Sequence, residues 1–140
     1  MTTLATVGED DVALFSYDDQ VMDVKITNVY DGDTFTGCFF EGDILKKYKF
    51  RCLGYDSEEM RQARAAPDRV EAKARASADR QHFIDLIDAA SGDTRVLSCR
   101  CGGFDKYGRI LVSVPADGSI NRAMIASGHG YAYDGGTKKK

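Results

Sequence analysis

From residue 21 onward, hydrophobic and polar positions alternate with the two-residue period of half-buried strands. Val24, Ile26 and the Val29-Tyr30 pair lead into Asp31-Gly32-Asp33. Thr34 to Phe40 reads as a returning strand, and Glu41-Gly42-Asp43 as the next turn. Ile44 to Leu53 is a third strand, in which Tyr48, Phe50 and Cys52 alternate with Lys47, Lys49 and Arg51. One face enters a core and the other presents cations. Three strands with tight turns make a meander. Residues 54–67 read as a loop ending at Pro67. Between Asp68 and Ala89 the period lengthens to that of a helix. Ala72, Ala76, Phe83, Ile87 and Ala90 share a stripe with Leu86, which marks a packing face rather than a site. Ser91-Gly92-Asp93 stops the helix. Thr94 to Cys101 and Ile110 to Val114 read as two more strands, joined by Gly102 to Arg109. Ala116-Asp117-Gly118 is a turn with Ser119 as N-cap, and Ile120 to Ser127 a short helix closed by Gly128. The expected class is α+β: a five-stranded OB-type β-barrel with a helix inserted after strand 3 and a short C-terminal helix.

Residues 1–20 have no period and carry Glu9, Asp10, Asp11, Asp18 and Asp19. They read as a flexible, solvated acidic arm, with a cover over a basic groove as the alternative. Residues 21–134 are the single domain and residues 135–140 a basic, solvated tail. The net charge of −3 argues against nucleic-acid binding until its distribution is read. Residues 1–43 hold ten acids and one base, giving −9; residues 44–140 hold twelve acids and eighteen bases, giving +6. The body of the domain is basic, and some of the N-terminal charge suits a metal site. No apolar run approaches the about 20 residues of a membrane helix. The first twenty residues lack a basic start followed by an apolar stretch, so the expectation is an intracellular protein without a membrane partner, monomeric by default. Cys38, Cys52, Cys99 and Cys101 read as reduced strand cysteines. His82 and His129 have no ligand spacing to them, which excludes zinc.

Three short runs carry candidate chemistry. Asp31-Gly32-Asp33-Thr34 gathers carboxylates at a sharp reversal, with Gly32 free to adopt positive φ; alone it is a hairpin turn. Arg51 lies in a strand and Asp56-Ser57-Glu58-Glu59 follows where the chain leaves the sheet; alone this is an acidic loop. Carboxylate and carbonyl oxygens from Asp33, Asp56 and near Ser57 suit a hard cation such as Ca²⁺. Asp105-Lys106-Tyr107-Gly108-Arg109 joins two strands; alone it is a polar connection, but a guanidinium at a strand start can grip a phosphate.

Together, these runs resemble the staphylococcal nuclease (thermonuclease) family, whose hallmarks are D-G-D-T, an Arg five residues before D-[TSA]-P-E, and D-x-Y-G-R. Ile120-Asn121 and Gly128 are similar to its I-N-x-x-[LM]-[IV]-x-x-G helix. The resemblance runs from about Val24 to Tyr131. It implies a calcium-dependent nuclease that cuts DNA and RNA with little sequence preference, leaving 3′-phosphate and 5′-hydroxyl ends. Asp33, Asp56 and the Ser57 carbonyl would bind Ca²⁺, with Asp31 behind them. Glu59 would be the general base, and Arg51 and Arg109 would hold the scissile phosphate. Tyr107, with Lys106 beside it, would contact a neighbouring phosphate, and Asn121 would be structural.

The chain departs from the family at Glu58, where the family has proline; this carboxylate competes with Glu59 as base or ligand. After Tyr131-Ala132-Tyr133 the long C-terminal helix of the secreted prototype is missing. Tyr131 or Tyr133 is a candidate for stacking on a base, with a packing role as the equal alternative. The D-S-x-E loop is similar to that of short homologues from large DNA viruses, which adds a virus-encoded protein of host cell or virion as a second setting. With two carboxylates and one carbonyl, the expected affinity for Ca²⁺ is low. The alternatives are a catalytically inactive nucleic-acid-binding module and a structural or virion OB-fold module.

Overall fold

A computed structural model describes residues 3–58 and 69–133. Five strands close into a barrel in the order β1-β2-β3-β6-β5, with two helices packed against it. They are β1 (Val21–Val29), β2 (Thr34–Glu41), β3 (Ile44–Cys52), β5 (Val96–Phe104) and β6 (Ile110–Ser113). The first three form the antiparallel meander, β5 pairs with β1 and β6, and β6 closes the barrel by running parallel to β3. This is the expected α+β OB-type barrel, with helix α1 (Arg69–Ser91) after the third strand and helix α2 (Ser119–Ala126) near the C-terminus.

The alternation of side chains explains the core. Phe50 and Cys52 of β3 point inward while Lys47 and Lys49 stay exposed. Phe35 and Phe50 stack with centroids 5.0 Å apart, and Phe83 of α1 sits against Phe35 at 6.2 Å. Four residues further along β2, Phe39 meets Tyr17 edge-on at 5.5 Å. Tyr17 is buried and also contacts Tyr48 and Phe104. The stretch from Thr3 to Phe15 is exposed, as a solvated arm would be, but its end is docked: Asp19 N donates to Cys101 O and Cys101 N to Gln20 O, each at 2.8 Å. Tyr17 is an aromatic anchor that the acidic composition concealed. The proposed tail, residues 135–140, lies outside the described residues.

Several local expectations change. Asp56 lies not in a loop but in a two-residue strand, β4 (Tyr55–Asp56), which pairs antiparallel with β7 (Tyr131–Ala132). Strand β5 continues to Phe104 past a bulge after Cys101, so the connection to β6 shrinks to the turn at Asp105–Arg109. On α1, Ala72, Ala76, Phe83 and Ile87 are buried as expected, but Ala90 is exposed and Asp79 takes a place on the buried stripe. Ser119 is the first residue of α2 rather than its cap. Gly118 occupies that position with φ 73°, and Asp117 Oδ1 accepts the Ser119 N–H at 2.9 Å. Gly128 closes the helix with φ 81°. All four cysteines are free thiols. Burial pushes Cys99 up to about 12 and Cys101 to about 11, which makes them inert packing groups. Among the described residues, no helix is long and apolar enough to cross a membrane.

Candidate functional site

The turn between β1 and β2 and the chain leaving β3 are tied together. Asp31 Oδ1 accepts the Asp33 N–H at 3.1 Å, an Asx-type bond that shapes the reversal. Asp33 Oδ1 accepts from Thr34 Oγ1 at 2.9 Å, and its Oδ2 accepts the Ser57 N–H at 2.9 Å. The Tyr55 hydroxyl donates to Gly32 O at 2.6 Å. Gly32 is needed here for the closeness of its neighbours rather than for positive φ. It is not among the residues with positive φ; instead a Cβ there would lie 2.8 Å from both Cβ and Oγ of Ser57 and 3.1 Å from Cβ of Asp79. Only a residue without a side chain lets the two acidic segments approach this closely.

Arg51 occupies the centre. Its Nη1 lies 3.0 Å from Asp33 Oδ2 and its Nη2 3.1 Å from Asp56 Oδ1, while Nη1 also donates to Tyr55 O at 3.0 Å. All three side chains are largely buried, with exposures of 12% for Arg51, 6% for Asp33 and 8% for Asp56. Burial alone would lower the Arg51 pKa, but Asp33 and Asp56 outweigh it and hold the guanidinium charged. Asp33 is pushed above the usual aspartate value, first by burial and then by the charge of Asp31, despite Arg51.

The third run, the turn between β5 and β6, brings Arg109 to the same cleft. Asp105 accepts the backbone N–H groups of Tyr107 and Arg109, each at 2.9 Å, and the Arg109 Nε–H at 2.6 Å. Burial works against the Asp105 charge, but these bonds outweigh it and hold its carboxyl below the usual range. The Arg109 guanidinium is thus anchored through Nε, 5.3 Å from the Tyr107 ring centre, and its terminal nitrogens have no hydrogen-bond partner among the described residues.

Asp31, Asp33, Thr34, Arg51, Asp56, Arg109 and Tyr133 line one open cleft of about 300 Å³. Residues from three separate runs therefore meet. Ser57 joins them through its backbone N–H rather than by lining the cleft. Tyr107 lines an adjoining cleft, and Lys106 lies outside both, exposed, with its ammonium 5.2 Å from the Tyr107 ring centre. Glu59 lies outside the described residues. Glu58 faces elsewhere: it lines a separate cavity with Arg75, Asp79, His129 and Tyr131, and accepts from Arg75 Nε at 3.3 Å. Of the two C-terminal tyrosines, Tyr133 lines the candidate cleft, with Arg51 5.9 Å from its ring centre. Asn121 is a brace: its Oδ1 accepts the Val114 N–H, and its Nδ2 donates to Leu53 O, both at 2.8 Å.

Two supporting residues were missed by sequence reasoning. Asp79 accepts the Glu58 N–H at 3.1 Å and pairs with His129 Nδ1 at 3.0 Å, fixing the loop beside the site to α1. The signal was available, since an acid three residues after Ala76 falls on the apolar stripe. Tyr55 gave no comparable signal, because its role depends on where Gly32 lies in space.

Asp31, Asp33 and Asp56 are the carboxylates of the cleft that could accept a cation. With all groups ionised, the cleft's Asp31, Asp33 and Asp56 contribute −3 and its Arg51 and Arg109 +2, leaving −1. Burial first, and then the charge of Asp31, raise the pKa of Asp33. The Ser57 Oγ is buried without a hydrogen-bond partner among the described residues. Among the described residues, no three His, Cys, Asp or Glu side chains converge as a ready-made metal cage. No protein-family model and no curated protein matches this chain.

Proposed function

We propose that the protein is a calcium-dependent, sequence-nonspecific nuclease of the staphylococcal nuclease type, hydrolysing phosphodiester bonds of DNA and RNA. The observation that carries this reading is the meeting of Asp31, Asp33, Arg51, Asp56 and Arg109 in one cleft. Asp33, Asp56 and the Ser57 carbonyl would hold the cation, which supplies positive charge against the phosphate and lowers the barrier to an anionic attack.

The remaining work falls to the chain's own groups. A phosphodiester repels hydroxide, so donors must be aimed at the charge that develops at phosphorus. Arg109, anchored by Asp105 through Nε, keeps its terminal N–H groups for a phosphate oxygen. Arg51, fixed by the Tyr55 carbonyl and two carboxylates, presents a second guanidinium that needs little reorganisation. Glu59 would take the proton from the attacking water. The 5′-oxygen leaves, giving 3′-phosphate and 5′-hydroxyl ends. None of these contacts reads a base, which fits sequence-blind cleavage. Digestion of plasmid and single-stranded DNA by the purified protein tests the reading: cleavage with Ca²⁺ and none with EGTA is expected, whereas intact DNA under both conditions contradicts it.

Metal binding carries a pH signature. Asp33 has a folded pKa above its unfolded value of 3.8, so its favourable contribution is complete below 3.8 and is lost as pH rises through the folded pKa. At neutral pH its charge destabilises the fold until a cation offsets it. A site with Kd of about 10⁻⁴–10⁻³ M, at about 10 mM Ca²⁺, gains about 1.4–2.7 kcal/mol. That corresponds to a rise in melting temperature of roughly 4–10 °C. Thermal scans at neutral pH should show this rise, and it should shrink in acid as Asp33 takes up its proton.

A further inference from the structure

A larger cleft, of about 680 Å³, adjoins the candidate site and shares Asp31, Thr34 and Arg109 with it. Its floor is a row across three strands: Asn28 of β1 pairs with Thr36 of β2, and Thr36 with Lys49 of β3. The next row along holds Thr34 opposite Arg51. Lys49 and Arg51 are two residues apart, so their side chains leave the same face of β3 roughly 6.6 Å from each other. Lys47, also exposed, extends the line. Lys49 is exposed and has no ion-pair partner among the described residues. Tyr30, at the end of β1, is 54% exposed, and its ring contacts no other ring or cation among them.

A cation one step along a strand from Arg51, beside an uncovered aromatic ring, matches the repeat of a polynucleotide strand, in which each phosphate is accompanied by a flat base. We infer that this cleft is a second nucleotide subsite, taking one base on Tyr30 and its phosphate on Lys49 from a single-stranded chain whose scissile phosphate lies at Arg51 and Arg109. The inference rests on the nuclease reading and narrows it to a substrate class. A base paired in a duplex keeps its faces stacked on its neighbours, so the Tyr30 ring is usable only by an unpaired strand. The β2–β3 surface is also the part of an OB barrel suited to oligonucleotides. In this chain Asn28, Thr36 and Tyr107 also line the cleft.

The test is binding, read separately from cleavage. Fluorescence anisotropy of a labelled single-stranded DNA oligonucleotide is measured in EGTA for wild type, Tyr30→Ala, Tyr30→Phe, Lys49→Ala and Lys73→Ala. Lys73 is exposed on α1 and controls for loss of one positive charge. Kd should rise about tenfold for Tyr30→Ala and Lys49→Ala, and Tyr30→Phe, which keeps the ring, should bind like wild type. Lys49→Ala should also reduce the slope of log K against log salt by about 0.7. A duplex of the same sequence should be affected less. Unchanged Kd for both alanine variants, an equal rise for Lys73→Ala, or an equal loss on duplex would overturn the subsite. Failure of the wild type to cleave in Ca²⁺ would instead count against the nuclease reading, whatever the binding shows.

Discussion

Replacing Glu59 with Gln is expected to slow cleavage about 10²–10⁴-fold, the usual contribution of a positioned general base, while Glu58→Gln keeps most of the rate. The two acids are neighbours in sequence, so the contrast depends on direction. Glu58 gives its backbone N–H to Asp79 and its carboxylate to Arg75, and it lines the cavity beside His129 rather than the cleft of Arg51 and Arg109. Its carboxylate accepts a hydrogen bond from Arg75 of α1. Where the staphylococcal nuclease pattern that the sequence runs resemble has proline, which stiffens the backbone, this chain has a residue whose N–H and carboxylate both bond to the helix. We interpret Glu58 as a replacement anchor for the loop that leads to Glu59. Initial rates on single-stranded DNA in Ca²⁺ check the pair; an inactive Glu58→Gln beside an active Glu59→Gln would transfer the base to Glu58.

Arg51→Ala should lose activity about 10³-fold or more, as expected when a guanidinium that offsets developing phosphate charge is removed. Unlike Arg109→Ala, it should also destabilise the fold. Arg51 is the counter-ion of two buried carboxylates, and removing one partner of a buried ion pair costs about 3 kcal/mol or more. Arg109 pairs with a single, more exposed Asp105, so its loss leaves less uncompensated charge in the interior. The sign of the pH dependence follows. Arg51 pulls the Asp33 pKa down against burial and Asp31; without it, that pKa rises further. The stability deficit of Arg51→Ala should therefore be largest near neutrality and shrink as acid protonates Asp33. Urea melts of the two variants across pH, set beside their cleavage rates, separate the structural from the chemical contribution of each arginine.

The barrel was legible because its strands alternate so regularly. Phe50 and Cys52 against Lys47, Lys49 and Arg51 fix both the face and the register of β3, and the acidic turns mark where the chain reverses. The site was legible as three runs at given spacings, but only the closed barrel brings Arg109 of the β5–β6 turn to Asp33 of the β1–β2 turn. What sequence could not supply were features created by long-range approach. Gly32 was read as a turn residue, yet its lack of a side chain is used against Ser57 and Asp79, distant in the chain. The two residues of β4 are too few for periodicity to detect, and they are a strand only because Tyr131 and Ala132 come beside them. Tyr17 lay within an acidic, aperiodic stretch whose composition pointed to solvent, and it became core because Phe39 and Tyr48 leave an edge for it.

In the proposed reaction a water would attack phosphorus in the cleft of Asp33, Arg51, Asp56 and Arg109 and expel the 5′-oxygen. The ends of the fragments report it most directly. Fragments from a Ca²⁺ digest should accept labelled phosphate from polynucleotide kinase without prior phosphatase treatment, because their new 5′ ends carry hydroxyl groups. Fragments that label only after phosphatase treatment, or a digest in which no new ends form, would contradict the account.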